Sequence, residues 1–181
     1  LHTLILSSHK LKHLNSFTLN GLSVLSSLSL SFNELASLDP ECFKNCSSLQ
    51  DLQLSGNMFS SVPIAITNLR NLRSLSLSEN SIIDIDIDSH LNLQYLISLN
   101  FSGNSISNIS REYFRDLISL KKLDLSSNML RKLEPGTFDE AISLESLYLQ
   151  NNLLTDINGL FMNLIKLRHL NVSLNSITWF D

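Results

Sequence analysis

Two cysteines form the pair in this chain that comes nearest to a metal site. Cys42 and Cys46 stand four residues apart, but a structural zinc site needs a second pair of Cys or His ligands, and none follows at a suitable spacing. A local disulfide stays open as an alternative, provided that the two Cβ atoms converge. Otherwise Cys46 fills an apolar position as a small hydrophobic residue. We therefore expect no zinc at this pair.

An alternating run of acids, Asp84–Asp88, invites comparison with a calcium-binding loop. An EF-hand loop also requires Gly at its sixth position and Glu at its twelfth, where this chain has Ser89 and Tyr95. Because Ile85 within the run belongs to an apolar ladder described below, the acids alternate outward to solvent. We expect neither calcium nor any other metal or cofactor.

Catalytic triads are not indicated either, although Ser, His and Asp are all present. Serine is abundant throughout, the five His residues are scattered, and the sequence contains no G-x-S-x-G elbow and no phosphate-binding loop. We expect no enzyme.

One segment shows which element must position all these side chains. Leu120–Leu133 reads LKKLDLSSNMLRKL, the L-x-x-L-x-L-x-x-N-x-L signature of a leucine-rich repeat. The template fits eight times, starting at residues 1, 25, 49, 72, 96, 120, 144 and 167. A single repeat cannot bury its leucines alone, whereas stacked repeats share one core. The pattern predicts one domain over residues 1–181: an α/β solenoid, the leucine-rich-repeat right-handed superhelix or horseshoe arc. Its concave side is a parallel β-sheet, and its convex side is irregular, 3₁₀ or short-helical.

The ninth position of each repeat is predicted to form a structural Asn ladder. A buried amide can donate and accept at once, which suits backbone groups that strand pairing leaves unsatisfied. His9 occupies this position in the first repeat and is expected to do part of the same job. The ladder comprises Asn33, Asn57, Asn80, Asn104, Asn128, Asn152 and Asn175.

The return segments carry a second, aromatic ladder on the convex side. Its members recur 17 or 18 residues after a repeat start and are Phe43, Phe114, Phe138 and Phe161. The third repeat departs, because Pro63 follows Val62 and fixes its own φ. We expect a more extended return segment there.

The composition and the two ends of the chain limit which class of protein it belongs to and which partners it binds. Apolar residues make up 43% and charged residues 17%, the net charge is −4, and no run of some eighteen apolar residues suggests a membrane span. No basic stripe is visible along the sequence, so nucleic acid is not expected as a partner. Neither end supplies a polar capping repeat. We expect an uncapped fragment of a larger ectodomain that is poorly soluble in isolation.

Four N-x-S sequons predict glycosylation at Asn45, Asn100, Asn108 and Asn171. Serine is nearly fixed at the seventh repeat position, so any Asn at the fifth position creates a sequon by coincidence. Asn100 and Asn171 arise in that way, whereas Asn45 and Asn108 do not. Sugar at Asn100 and Asn171 would stand on the concave sheet and direct protein ligands to the sides or the convex face.

The concave positions are mostly small and polar, with larger side chains concentrated in later repeats. Tyr and Arg are the types that anchor protein interfaces, but most exposed residues of a sheet face are simply solvated. The residues that could contact a ligand are Phe32, Gln53, Arg73, Glu79, Lys122, Asp124, Tyr148, Gln150, Arg168 and His169.

The final segment, Leu167–Asp181, carries a specific resemblance. Its sequence LRHLNVSLNSITWFD resembles a repeat in the ectodomains of insect Toll-type receptors, where a leucine-rich repeat runs into a Trp-Phe-Asp turn. The segment SGNMFSSVPI, from Ser55 to Ile64, departs from this pattern and is more similar to a plant-type turn. The resemblance implies part of a single-pass receptor that binds a cystine-knot cytokine and signals by dimerisation in immunity or development.

Three functions remain open from the sequence. The first is a non-catalytic receptor segment on the extracellular side of the plasma membrane, which the sequons and the Toll resemblance favour. The second is a cell-adhesion or extracellular-matrix protein that uses the concave face. The third is an intracellular scaffold, which would leave Asn45 and Asn108 unglycosylated.

Overall fold

A computed structural model describes residues 1–85 and 93–179. Each repeat contributes a three-residue strand centred on the second leucine of its motif, and in the inner repeats that leucine is buried while its two neighbours face outward. This alternation is the period-2 pattern of a strand with one buried face. The strands are β1 (Thr3–Ile5), β2 (Ser27–Ser29), β3 (Asp51–Gln53), β4 (Ser74–Ser76), β5 (Ser98–Asn100), β6 (Lys122–Asp124), β7 (Ser146–Tyr148) and β8 (His169–Asn171).

The strands form one parallel sheet in the order β1 to β8, each paired with its sequence neighbour. Every pairing joins equal repeat positions, so that Leu28 lies opposite Leu52 and Leu99 opposite Leu123. The regular period therefore sets the register, because a slip would move the leucines off the core face. The predicted leucine-rich-repeat solenoid is confirmed.

The core is a continuous set of leucine ladders. In the inner repeats the central leucines Leu52, Leu75 and Leu123 are at most 1% exposed, and burying each contributes about 2 kcal/mol. At the ends the same ladders are incomplete, since Leu1 is 63% and Leu170 is 41% exposed. The outermost turns therefore show apolar surface that the inner turns hide.

The convex side is built from turns and short 3₁₀ helices. Phe43, Phe114 and Phe138 are fully buried there, while Phe161 is only half-buried. The helix Arg111–Phe114 starts where the Ser110 hydroxyl accepts a hydrogen bond from the Glu112 N–H at 3.3 Å. Aromatic rings thus stack from one return segment to the next, as between Phe114 and Phe138 at 5.5 Å.

The return segment of the third repeat differs from expectation. We expected Pro63 to make it more extended, and this was wrong: a 3₁₀ helix, Ile64–Asn68, follows directly. Pro63 stands before the first helical residue in an extended conformation, where the N–H that it lacks would have had no helical partner. The proline therefore starts a helical turn instead of preventing one.

Several predicted features fall outside the described residues. These are Asp86 and Asp88 of the acidic run, and Phe180 and Asp181 of the Trp-Phe-Asp turn. The extent of the domain over residues 1–181 stays a prediction.

Candidate functional site

The ninth-position asparagines bind each repeat to the one before it. Asn128 donates to the Phe101 carbonyl of the preceding repeat at 3.0 Å and to the Leu125 carbonyl of its own at 3.1 Å. Its Oδ1 accepts from the N–H of Ile106, also in the preceding repeat, at 3.0 Å. Equivalent bonds form at every one of the seven positions. The amides therefore hold the turn rigid at the end of each strand.

His9 does not take part in this arrangement, contrary to expectation. Its side chain is exposed and forms no hydrogen bond with a described residue. The Asn side chains, by contrast, bond a carbonyl and an amide of the repeat before their own.

Small hydroxyl groups cover the concave face of the first five repeats. Ser55 Oγ lies 2.7 Å from Ser76 Oγ and 2.9 Å from Ser78 Oγ, and Ser7 Oγ lies 2.6 Å from Ser29 Oγ. These hydroxyls satisfy one another, so they offer a flat surface with few unpaired donors. Gln53 lies among them and donates to Asp51 at 2.7 Å.

The larger concave side chains gather on β6 to β8. Lys122 Nζ lies over the Tyr148 ring, 5.5 Å from its centroid, and Asp124 accepts from the Ser126 hydroxyl at 2.6 Å. Gln150 lies beside them, and its buried Oε1 accepts no hydrogen bond from a described residue. His169 is exposed on the last strand. This end of the sheet offers more chemical variety than the first five repeats.

The eighth position of each repeat has a left-handed backbone. The φ angles there lie between 53° and 67° in all eight repeats, a region that glycine adopts without strain and other residues rarely do. Two of the candidate contact residues, Phe32 and Glu79, occupy this position. The Phe32 ring, 54% exposed, covers the place where a Cβ on Gly56 would lie. The repeat pattern did not predict this left-handed conformation, although glycine occupies the eighth position in two repeats, at Gly56 and Gly103.

Arg73 and Arg168 occupy the second repeat position and directly precede the N-terminal ends of β4 and β8. The backbone N–H of each second-position residue bonds the carbonyl of the one before, so Gln50, Arg73, Ile97, Lys121, Glu145 and Arg168 form one continuous column. Arg73 lines a cleft of about 320 Å³ together with Ser48, Gln50, Asn71 and Tyr95. At Arg73 the second position therefore faces residues that directly precede a repeat start, while Arg70, Gln94 and Ile118, two residues before a start, line a second cleft.

The region at the N-terminal ends of the strands carries a concentration of positive charge that was not recognised in the sequence. We define the basic flank as the two residues before, and the second residue of, each repeat that starts at residues 72, 96, 120, 144 and 167. It holds five of the chain's thirteen Lys and Arg residues and one of its seventeen acids: Arg70, Arg73, Lys121, Lys166, Arg168 and the acid Glu145. The linear sequence did not reveal this group, because its cations lie in every second repeat, and only stacking brings them within about 10 Å of one another.

Glu145 is held within this group of cations. Lys121 Nζ lies 2.9 Å from its Oε1. The hydrogen bond from Lys121 lowers the pKa of Glu145 below its ordinary value, and the nearby charges of Arg168 and Lys166 contribute in the same direction. Lys121 thus neutralises the charge of Glu145, and the cations at the two ends of the flank remain in excess.

The predicted glycosylation sites divide into two environments. Asn45 and Asn108 are exposed on return segments, and Asn45 Nδ2 donates to Asn20 at 3.0 Å. Asn100 and Asn171 lie half-buried on the concave strands, where each Oδ1 accepts from the backbone N–H of the sequon serine at 2.8 Å and 3.1 Å. Glycosylation at all four stays a prediction.

The two cysteines are buried and unpaired. Burial, with the nearby charge of Asp39, raises the pKa of Cys42 to about 12. Burial alone raises the pKa of Cys46 above its ordinary value. Such thiols are poor nucleophiles because only the thiolate reacts. Within residues 1–85 and 93–179, no three His, Cys, Asp or Glu side chains cluster as a metal site would require.

Comparison with known proteins fits this architecture. The leucine-rich repeat family model matches residues 1–59, 70–130 and 118–177. The chain belongs to the leucine-rich repeat family. Among curated proteins, none matches the sequence significantly.

Solved structures of other leucine-rich repeat proteins superpose well on this chain. TLR13, a Toll-like receptor solved in complex with ssRNA13, is 33% identical over 99% of the chain, with a TM-score of 0.94. A Leptospira interrogans leucine-rich repeat protein is 29% identical over 98%, with a TM-score of 0.74. An internalin of Listeria monocytogenes is 24% identical over 99%, with a TM-score of 0.82, and this match shows the fold alone.

This chain spans only part of each of those relatives. It covers 26% of the TLR13 chain, 50% of the Leptospira protein and 49% of the internalin. In the described part of the leucine-rich repeat chain, no helix has the length and apolar character of a membrane span.

Proposed function

We propose that this chain is a non-catalytic, protein-binding segment of a Toll-like receptor ectodomain. The observation that supports the proposal most is the superposition on TLR13, with 33% identity along 99% of the chain and a TM-score of 0.94. The resemblance of Leu167–Asp181 to insect Toll-type receptors points in the same direction. A cystine-knot cytokine is the ligand that this resemblance implies, in innate immune or developmental signalling that proceeds through receptor dimerisation.

The surfaces of the solenoid suit binding better than catalysis. Where repeats stack in register, the exposed side chains form broad columns, and the clefts between them are shallow and polar. Two clefts have volumes of about 320 and 380 Å³ and are lined mainly by polar side chains of Arg, Asn, Gln, Ser, Asp and Tyr, together with Ile118. No arrangement of nucleophile, base and oxyanion donors converges in either of them.

An extracellular setting on a single-pass membrane protein is part of the proposal. Asn45 and Asn108 are exposed and accessible to the glycosylation machinery, and their sequons are not products of the fixed serine at the seventh position. We expect both to be occupied when the chain is secreted from insect cells. Intact-mass and peptide-level mass spectrometry would measure this, and bare asparagines at both positions would indicate an intracellular protein.

A binding panel tests the ligand class directly. The secreted chain, immobilised through its C-terminus at low density, is exposed to a Toll-pathway cystine-knot cytokine, to collagen and to single-stranded RNA. Saturable binding of the cytokine alone supports the proposal. Binding of collagen alone would favour an adhesion or matrix role. Binding of RNA alone would replace the protein ligand with the class of ligand seen in the TLR13 complex.

A further inference from the structure

Exposed apolar side chains occur at repeat positions next to those of the flank cations. An isoleucine stands two residues before each of the last three repeat starts, and Ile118, Ile142 and Ile165 are 50%, 54% and 88% exposed. Tyr95, one residue before its own repeat start, is 50% exposed and lines a cleft with Arg73, while Ile118 lines a second cleft with Arg70. Apolar and cationic columns thus occupy neighbouring positions of successive repeats.

Stacking makes these columns contiguous. The backbone N–H of Lys121 bonds the Ile97 carbonyl at 2.9 Å, and the N–H of Arg168 bonds the Glu145 carbonyl at 2.8 Å. Neighbouring strands lie about 4.8 Å apart, so the four steps from Arg73 to Arg168 cover about 19 Å. An extended segment of about six residues spans that distance.

The positive charge of the flank favours a negatively charged partner. The chain as a whole carries a net charge of −4, whereas the flank holds five cations and one acid, and Lys121 forms an ion pair with that acid at 2.9 Å. Asp116 and Arg115, one acid and one further cation, line the cleft that contains Arg70. Arg73 at one end and Lys166 and Arg168 at the other have no acidic partner among the ion pairs of the described residues. Such a patch attracts negative charge and orients it during docking.

The apolar column favours a polypeptide over a nucleic acid. Single-stranded nucleic acids are held by successive aromatic side chains on which the bases stack, and Tyr95 is the one aromatic residue on this surface. Three exposed isoleucines instead offer contacts for aliphatic side chains, and exposed apolar groups of this kind mark protein-binding surfaces.

We propose that the basic flank of the fourth to eighth repeats binds an extended acidic segment of a protein partner. Its carboxylates contact Arg73 and Arg168 at the two ends, while its alternate apolar side chains rest on Tyr95 and the isoleucine column. The inference rests on the proposed protein-binding function and specifies where and how it acts.

Peptide binding to the immobilised chain tests this surface. The probe is a fluorescent peptide of about eight residues that alternates Glu with Leu, and the comparison peptides replace Glu with Lys or Leu with Ser. The Glu–Leu peptide is expected to bind at low salt and to weaken steeply as salt screens the flank. Equal binding of the Glu and Lys peptides would overturn the proposal.

Charge reversal locates the binding. The double variant Arg73→Glu, Arg168→Glu is expected to weaken the Glu–Leu peptide about tenfold or more, since two favourable contacts become repulsive. The matched control is Arg131→Glu, Lys132→Glu, which makes the same change of net charge away from the flank and should alter affinity less than about twofold. Circular dichroism and the unfolding midpoint establish that both variants are folded.

Two more outcomes are decisive. Ile142→Ser with Ile165→Ser should weaken the Glu–Leu peptide about threefold or more while leaving a peptide of Glu and Ser unaffected. If single-stranded RNA binds more tightly than the acidic peptide and loses that binding in the Arg variant, the flank is a nucleic-acid surface and the proposal fails. Cytokine binding that survives in the Arg variant would overturn the flank assignment and leave the protein-binding function standing.

Discussion

Removing one inner amide of the Asn ladder should destabilise the solenoid strongly, and Asn128→Ala is the clearest case. Asn128 is 8% exposed. Its Nδ2 donates to the carbonyls of Phe101 and Leu125, but each of these also accepts from a second Asn of the ladder, Asn104 and Asn152 respectively. Those carbonyls therefore keep one partner after the substitution.

The cost falls mainly on a single donor. The backbone N–H of Ile106 donates to Asn128 Oδ1 at 3.0 Å and has no other acceptor among the described residues. An unsatisfied buried N–H costs about 1–3 kcal/mol, and the lost bonds to carbonyls that keep another partner add about 1 kcal/mol more. We expect Asn128→Ala to reduce the free energy of unfolding by about 3 kcal/mol.

Asn175→Ala is the matched control within the same ladder. Asn175 makes the same set of bonds in the last repeat, where its own side chain, Val172 and Ser173 are partly open to solvent, although Leu149 and Leu154 are buried. Water can enter from the open side and take the place of the removed amide, so we expect a loss of about 1 kcal/mol or less. Urea unfolding followed by circular dichroism measures both. A loss at Asn128 no greater than that at Asn175 would refute the reasoning from buried donors.

Three more predictions follow from the local geometry. Glu79→Gly should raise stability by about 1 kcal/mol because it relieves a left-handed backbone, while Gly103→Ala at the equivalent position should lower it by a similar amount; urea midpoints that move in the same direction would contradict this. Tyr113→Phe should raise stability by about 1 kcal/mol, since the buried hydroxyl has no partner among the described residues, and an unfolding midpoint below that of the parent chain would argue against it. Cys42 should resist iodoacetamide at pH 8 in the folded chain but react in urea, because its pKa is raised to about 12. Its raised pKa favours the folded state below the ordinary value of 9.0, and this contribution is lost as pH rises from there through about 12; equal alkylation rates with and without urea would contradict the burial.

The candidate surfaces were only partly visible before the structure. The concave positions follow from the repeat template, and the structure places Lys122 and Asp124 on β6 beside Tyr148 on β7, with Gln150 just after β7. The basic flank was not recognised in the sequence, because its cations occur in every second repeat and are separated by about two repeat lengths. Their proximity comes from lateral hydrogen bonds between equal positions of successive repeats, and a linear search for charge runs does not apply that spacing.

The sequence by itself determined the solenoid, its register and its core. Leucines that recur every 23 or 24 residues have one way to be buried together, namely by stacking equal positions, so the period fixes the sheet. Tertiary structure decided what the leucine period does not specify. It placed a 3₁₀ helix after Pro63, held Phe32 and Glu79 in a backbone conformation that suits glycine, and gave the His9 side chain no hydrogen bond to a described residue. These outcomes depend on which groups the neighbouring repeat presents at each position, and that information lies in contacts between turns, not within any one of them.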